Sequence, residues 1–184
     1  MHTFTFRSLF FALAATLPMA ASAPAFAASK ADLESSSKAA LNQLVSQNPG
    51  AKALNAKAVA VLVFPKVTKA GLGVGGQFGE GVLWRKGKAA GYYNTAGASY
   101  GLQAGAQQFG YAMFFMNQKA LDSLSSTQGF EVGVGPSVVV MDEGMAKNVT
   151  SGTLTEDIYA FIFSQKGLMA GLGIQGNKIT RIEK

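Results

Sequence analysis

The sequence contains no cysteine, and its single histidine is His2. Without cysteine the chain can form no disulfide, no thiolate metal site and no thiol nucleophile. Catalytic triads and metal sites that need histidine are likewise excluded from everything beyond the first residues. The stability of the fold must therefore come from its core, and any enzymatic chemistry would fall to carboxylates.

The acidic residues offer two adjacent pairs, Asp142 with Glu143 and Glu156 with Asp157. Paired carboxylates can hydrolyse a glycoside or hold Ca²⁺. Neighbouring residues on a strand point to opposite faces, however, so neither pair converges easily. The sequence also lacks the calcium-loop pattern D-x-[DN]-x-[DN]-G. We therefore expect that the protein is not an enzyme and that it binds neither a metal nor a cofactor.

Charged residues are scarce, at 14% of the chain, but bases outnumber acids and the net charge is +6. A basic excess favours anionic partners such as phospholipid headgroups, nucleic acid or acidic glycans. Binding of nucleic acid would require denser clusters of lysine and arginine, interleaved with aromatic residues. We expect an anionic partner that is not a nucleic acid.

Residues 1–27 have the features of a secretory signal peptide. Arg7 supplies the positive start, a short apolar run follows, and A-F-A at residues 25–27 is a cleavage pattern that places the cut near Ala27 and Ala28. The apolar run is too short to span a membrane. We expect an exported protein, periplasmic or associated with the outer membrane, with one domain over residues 28–184.

Glycines dominate residues 66–84, where GLGVGG at residues 71–76 fits the pattern G-x-G-x-x-G. A dinucleotide-binding turn would need a helix at the last glycine and an acidic residue about 20 positions later, and neither follows. Glycines inside strands instead mark bends or places where another backbone approaches closely. We expect a structural role, without phosphate contact, for Gly71, Gly73, Gly101 and Gly171.

The phrase AGLGVGG at residues 70–76 returns as AGLGIQG at residues 170–176, and each copy follows an apolar run and a lysine. This predicts two related β-hairpins. Helical patterns cover residues 29–47, 51–57 and 118–127. Most other segments resemble strands, many of them rich in glycine, so the sequence predicts an α+β fold. We expect a strongly curved antiparallel β-sheet or partial barrel with two or three packed helices.

Four blocks carry a family resemblance: KAVAVLVFP from residue 57, KAGLGVGG from residue 69, GASYGLQAG from residue 97 and SQKGLMAG from residue 164. In this order they resemble the SYLF domain, over roughly residues 31–183. The family includes the actin-binding domain of yeast Src-homology-3 adaptor proteins and secreted bacterial lipid-binding proteins. The resemblance implies lipid binding, which in eukaryotic relatives is phosphoinositide binding.

Eukaryotic members place an amphipathic membrane-binding helix before the domain, where this chain has the predicted leader. An exported protein also meets neither actin nor, normally, phosphoinositides. The resemblance therefore implies affinity for anionic phospholipid or a membrane surface, and it names no protein partner.

Two basic sites are candidates for contact with lipid headgroups. Residues 65–69 and 164–167 are predicted turns at equivalent places in the two hairpins, so Lys66, Lys69 and Lys166 are expected to form one cluster that attracts phosphate. The alternative membrane contact is Trp84 with Arg85, Lys86 and Lys88, where an indole would anchor beside cations. The alternative function is a structural or protein-interaction module of the periplasm or outer membrane without a lipid ligand.

Overall fold

The computed structural model describes residues 28–125, 129–141, 154–167, 174 and 176–184. The predicted signal peptide, the pair Asp142 and Glu143, and Gly171 lie outside these residues. The described elements, in chain order, are α1 (Lys30–Gln47), α2 (Pro49–Lys57), β1 (Ala60–Arg85), β2 (Lys88–Phe115), α3 (Gln118–Ser123), β3 (Phe130–Glu131), β4 (Val138–Met141), β5 (Ile158–Gly167) and β6 (Lys178–Ile182).

Short polar side chains set the helix ends. Ser29 caps α1, its Oγ accepting from the backbone N–H of Asp32 at 3.2 Å. Asn48 ends α1 and caps α2, and Pro49 is the first residue of α2. Asn117 caps α3 by accepting from the N–H of Ala120 at 2.8 Å. The predicted helices are confirmed, although α3 ends at Ser123, earlier than expected.

The sheet confirms the predicted fold class, because it curls into a half-barrel with three helices packed on it. Its strand order is β3-β6-β2-β5-β4, with β1 paired to the other edge of β2. One expectation was wrong: β4 pairs with β5 in parallel, so the sheet is mixed. Parallel neighbours need a connection of about a dozen residues or more, and the sixteen residues between Met141 and Ile158 are enough.

β1 and β2 form one long hairpin that folds over on itself. The bend lies near Gly71, where the pairing shifts between Leu72 and Val74. A Cβ on Gly71 would lie 2.4 Å from the Cα of Gly75, so only glycine permits this bend. Beyond the bend the second half of β1 packs against the first: a Cβ on Gly81 would lie 2.6 Å from the carbonyl oxygen of Val63. The glycine pattern therefore lies inside a strand, and Gly71 is structural as predicted.

Apolar side chains cover both faces of the sheet. Alternate residues of β2 point inward, and Tyr111 stacks on Phe64 with ring centroids 4.6 Å apart. α3 adds Leu121 to this inner layer, and its C-cap residue Leu124 adds another side chain. On the outer face Phe114 packs with residues of α1 and α2. Among the described residues, no helix has both the length and the apolar character needed to cross a bilayer.

Candidate functional site

Lys66 and Lys166 lie on the same, outer face of the sheet. Thr68, Gln108 and Lys166 form one row across β1, β2 and β5. Residues paired in neighbouring strands project from the same face, and the row spans about 10 Å. Lys66 lines the same groove beneath α1 as Thr68, and both lysines are exposed. The structure therefore brings these two predicted residues onto one surface.

Lys69 lies on the other face. It pairs with Gln107 and is buried, with 5% of its surface exposed. Val67 lies two positions before Lys69 on β1, and it pairs with Phe109 in the inner layer. Because alternate residues of a strand share a face, Lys69 belongs to the same inner layer. Lys69 is therefore separated from the surface that carries Lys66 and Lys166.

The predicted turns at residues 65–69 and 164–167 are continuous strand in the structure. β1 continues through Pro65 and Lys66, and its register with β2 shifts between Phe64 and Val67. β5 absorbs a similar irregularity, where Ser164 has a φ of 52°. A bulge explains both, since it accommodates a proline or an unusual backbone angle without ending the strand.

The bend of the long hairpin exposes apolar side chains farther along β1, the strand that carries Lys66. Leu72 is 84% exposed and Val74 is 63% exposed. Leu72 follows Thr68 by four residues, about 13 Å along an extended strand. Sequence reasoning missed this feature, although the signal was present: each of the two side chains has glycine on both sides. The surface formed by Leu72, Val74, Lys66 and Lys166 is called the bend surface below.

The alternative site lies at the tip of the same hairpin, where Lys86 and Gly87 form the turn. Trp84 is half-buried there: its Nε1 donates to the Oγ of Ser37 at 2.9 Å, and the Nζ of Lys38 lies 5.3 Å from its ring centroid. The indole is therefore held by α1, whereas membrane anchoring would require it to face outward.

The cations of this tip remain at the surface. Arg85 donates to the Oε1 of Gln118 at 2.9 Å, and Lys86 and Lys88 are exposed. A cleft of about 440 Å³ opens between α1 and the tip residues Arg85 and Lys86. The four predicted residues thus come together, as a basic patch beside a covered tryptophan.

The second predicted carboxylate pair is Glu156 and Asp157, and Asp157 is held by hydrogen bonds within the fold. Asp157 accepts from the Nδ2 of Asn117 at 2.8 Å and from the backbone N–H of Ser137 at 3.3 Å. These hydrogen bonds, led by the one from Asn117, lower the pKa of Asp157. Within the described ranges, no group of three or more acidic or histidine side chains could hold a metal ion.

These features define a class of protein: an α+β half-barrel module with exposed basic residues on one long folded hairpin and on the neighbouring strand β5. Residues 96–184 match the family model Ysc84, described as Las17-binding protein actin regulator. This match confirms the SYLF resemblance over residues 96–184. The matched family is one of binding domains. The first two sequence blocks lie before the matched residues. No curated protein matches the chain.

Proposed function

We propose that this protein is an exported, non-enzymatic module that binds anionic phospholipid membranes through the bend surface. The supporting observation is that the exposed apolar side chains Leu72 and Val74 lie on the same strand as the exposed Lys66, with the exposed Lys166 two strands across the same sheet. Secretion through residues 1–27, to the periplasm or the outer membrane, belongs to the same proposal.

The two kinds of side chain act on different parts of a bilayer. A lysine near an anionic surface contributes about 1 kcal/mol, and the effect fades beyond a Debye length. Apolar side chains add the free energy of burial at the boundary of headgroups and acyl chains. Binding by both is expected to be reversible and to weaken as salt rises.

A second candidate is a protein-interaction module of the envelope without a lipid ligand. The description of the matched family favours it, because it names a Las17-binding protein and actin regulator. The two candidates differ in one measurable property, which is binding to vesicles that contain no protein.

The test is co-sedimentation with phosphatidylglycerol vesicles and with phosphatidylcholine vesicles at low and moderate salt. The first variant combines Lys66→Glu with Lys166→Glu, and the second combines Leu72→Ser with Val74→Ser. The matched control combines Arg85→Glu with Lys86→Glu, which changes the net charge by the same amount at the hairpin tip. Circular dichroism checks that each variant is folded.

We expect the unchanged protein to sediment with phosphatidylglycerol vesicles only, and both bend-surface variants to lose most of this binding. Loss in the hairpin-tip control alone would move the site to the patch around Trp84. Absence of vesicle binding in the unchanged protein would contradict the lipid function and favour a protein partner.

A further inference from the structure

A groove of about 690 Å³ runs between α1 and the outer face of the sheet. Ser36, Ala39 and Ala40 of α1 form one wall, and Pro65, Phe78 and Phe163 belong to the facing strands. The volume falls in the range of about 300–1,000 Å³ that is usual for small-molecule sites.

Small side chains keep this groove open. Ser36, Ala39 and Ala40 lie within about one turn of α1, so the helix presents little bulk to the strands opposite. The hydroxyl of Ser36 donates to the carbonyl oxygen of Asp32 at 2.8 Å, which leaves its face toward the groove largely apolar. Phe78 is 52% exposed in the described part of the chain, which is unusually high for a large aromatic side chain.

The charge along the groove is positive. Its acid, Glu80, is paired with the Nζ of Lys184 at 3.0 Å, and the same ammonium donates to the carbonyl oxygen of Ala28 at 2.8 Å. Lys66 also lines the groove and is exposed. Among the described residues it has no carboxylate partner, so its charge is available to an anion.

The walls suit a hydrocarbon chain better than a peptide. A bound peptide needs partners for its backbone N–H and C=O groups. Pro65 has no N–H, the hydroxyl of Ser36 is already bonded, and Ala39 and Ala40 have apolar side chains. Gln43, Thr68 and Ser164 are the other uncharged polar side chains of the lining, fewer than the backbone of an extended peptide requires. An acyl chain has no polar groups to satisfy, and its headgroup phosphate would meet Lys66.

We propose that this groove binds one acyl chain of an anionic phospholipid, with the phosphate beside Lys66. The proposal rests on the lipid-binding function and specifies its ligand: a single lipid is taken into the protein, in addition to the membrane surface that it contacts. The bend surface and the groove share Lys66, which would lie between membrane and groove.

The experiment measures binding of monomeric oleoyl-lysophosphatidylglycerol, by native mass spectrometry and calorimetry, to protein purified from cells that express the full chain. Ala39→Trp fills the groove at an exposed helix position. The matched control is Ser35→Trp, which is also at an exposed position of α1 but does not line the groove. Phe78→Ser serves as a second groove variant, because it removes apolar contact without adding bulk.

We expect Ala39→Trp and Phe78→Ser to weaken lysolipid binding by about tenfold or more, and Ser35→Trp to leave it unchanged. Glycerophosphoglycerol, which has the headgroup and no acyl chain, should bind far more weakly. Equal binding of the lysolipid to Ala39→Trp and Ser35→Trp, or equal binding of the headgroup alone, would overturn the proposal.

Vesicle binding separates this inference from the proposed function. Ala39→Trp is expected to sediment with phosphatidylglycerol vesicles as the unchanged protein does, because the bend surface is intact. If the unchanged protein binds vesicles but takes up no lysolipid, the groove proposal fails and the membrane function stands. If the unchanged protein takes up lysolipid but does not bind vesicles, the proposed membrane function is wrong and the groove proposal is supported.

Discussion

Gly79 packs so closely against Val67 that a Cβ on Gly79 would lie 2.7 Å from the Cγ2 of Val67. The carbonyl oxygen of Lys66 would be 2.8 Å away. This contact joins the two halves of β1 where the hairpin folds over itself. It also fixes the backbone of Lys66, which lies on both the bend surface and the groove.

Gly79→Ala is therefore expected to destabilise the protein by about 1–3 kcal/mol, because the two halves of β1 must move apart. Thermal unfolding measures the change. Gly76→Ala is the matched control: its Cβ would have an ordinary contact, 3.7 Å from the carbonyl oxygen of Gly97. A loss of stability in Gly76→Ala equal to that in Gly79→Ala would show that the effect comes from strand glycines in general.

The parts of the fold that follow from local chemistry were predictable from the sequence. The cap at Ser29 is a local polar signal, and the glycine phrase around Gly71 indicates a bend inside a strand. The bulge at Pro65 was not predictable, because a proline beside lysines resembles a turn. Once β1 continues through it, Lys66 and Lys69 fall on opposite faces of the sheet.

The candidate site depended on contacts between distant parts of the chain, and these were harder to predict. Trp84 was expected to face outward, but Ser37 lies 47 positions earlier and no local pattern links them. The exposure of Leu72 likewise follows from the folding over of the hairpin. To predict the row from Thr68 to Lys166, the pairing of three strands would have to be known. The sequence indicated only the hairpins.

The bond between Trp84 and Ser37 predicts a second stability effect. Ser37 is fully buried, and its Oγ accepts from the indole and lies 3.3 Å from the carbonyl oxygen of Val63, to which it donates. Ser37→Ala leaves the indole N–H without its partner and should cost about 1–3 kcal/mol. Urea unfolding followed by the fluorescence of Trp84, the sole tryptophan, measures it.

Ser46→Ala is the control for this change, because the exposed Oγ of Ser46 donates within its own helix, to the carbonyl oxygen of Gln43, and has no other partner in the described part of the chain. It should alter stability little. If Ser37→Ala unfolds at the same urea concentration as Ser46→Ala, the bond to the indole contributes nothing measurable.

Tyr92 predicts a loss of stability at alkaline pH. Its hydroxyl donates to the carboxylate of Glu34, which together with partial burial raises the pKa of Tyr92 from 10.0 to about 12. The folded state thus favours the protonated phenol. The resulting stabilisation is complete below about pH 10 and is lost as the pH rises toward 12.

Unfolding in urea at pH 8, 10 and 11 should show this decline, and it should be shallower in Tyr92→Phe. Tyr93 and Tyr111 also have raised pKa values, both mainly from burial, so the variant should keep part of the decline. An identical pH dependence in Tyr92→Phe and the unchanged protein would contradict the role given to the bond with Glu34.

Asp157 predicts the opposite effect, at acid pH. Its carboxylate joins the cap residue of α3, Asn117, to the backbone of Ser137, one residue before β4. The Oγ of Ser137 accepts in return from the N–H of Asp157 at 3.1 Å. These bonds favour the charged carboxylate and hold its pKa below the ordinary value of 3.8. The stabilisation is therefore present above about pH 4 and is lost as the pH falls through the lowered pKa.

Asp157→Ala should lower the melting temperature at pH 7, because Asn117 and the N–H of Ser137 lose an acceptor. The difference between variant and unchanged protein should shrink as the pH falls below 4, since protonation then weakens the same bonds in the unchanged protein. Asp122→Ala is the control: among the described residues, its exposed carboxylate accepts from Gln118 alone, one turn earlier in α3. A difference between Asp157→Ala and the unchanged protein that stays constant from pH 7 to pH 3 would mean that the charge of the carboxylate does not stabilise this junction.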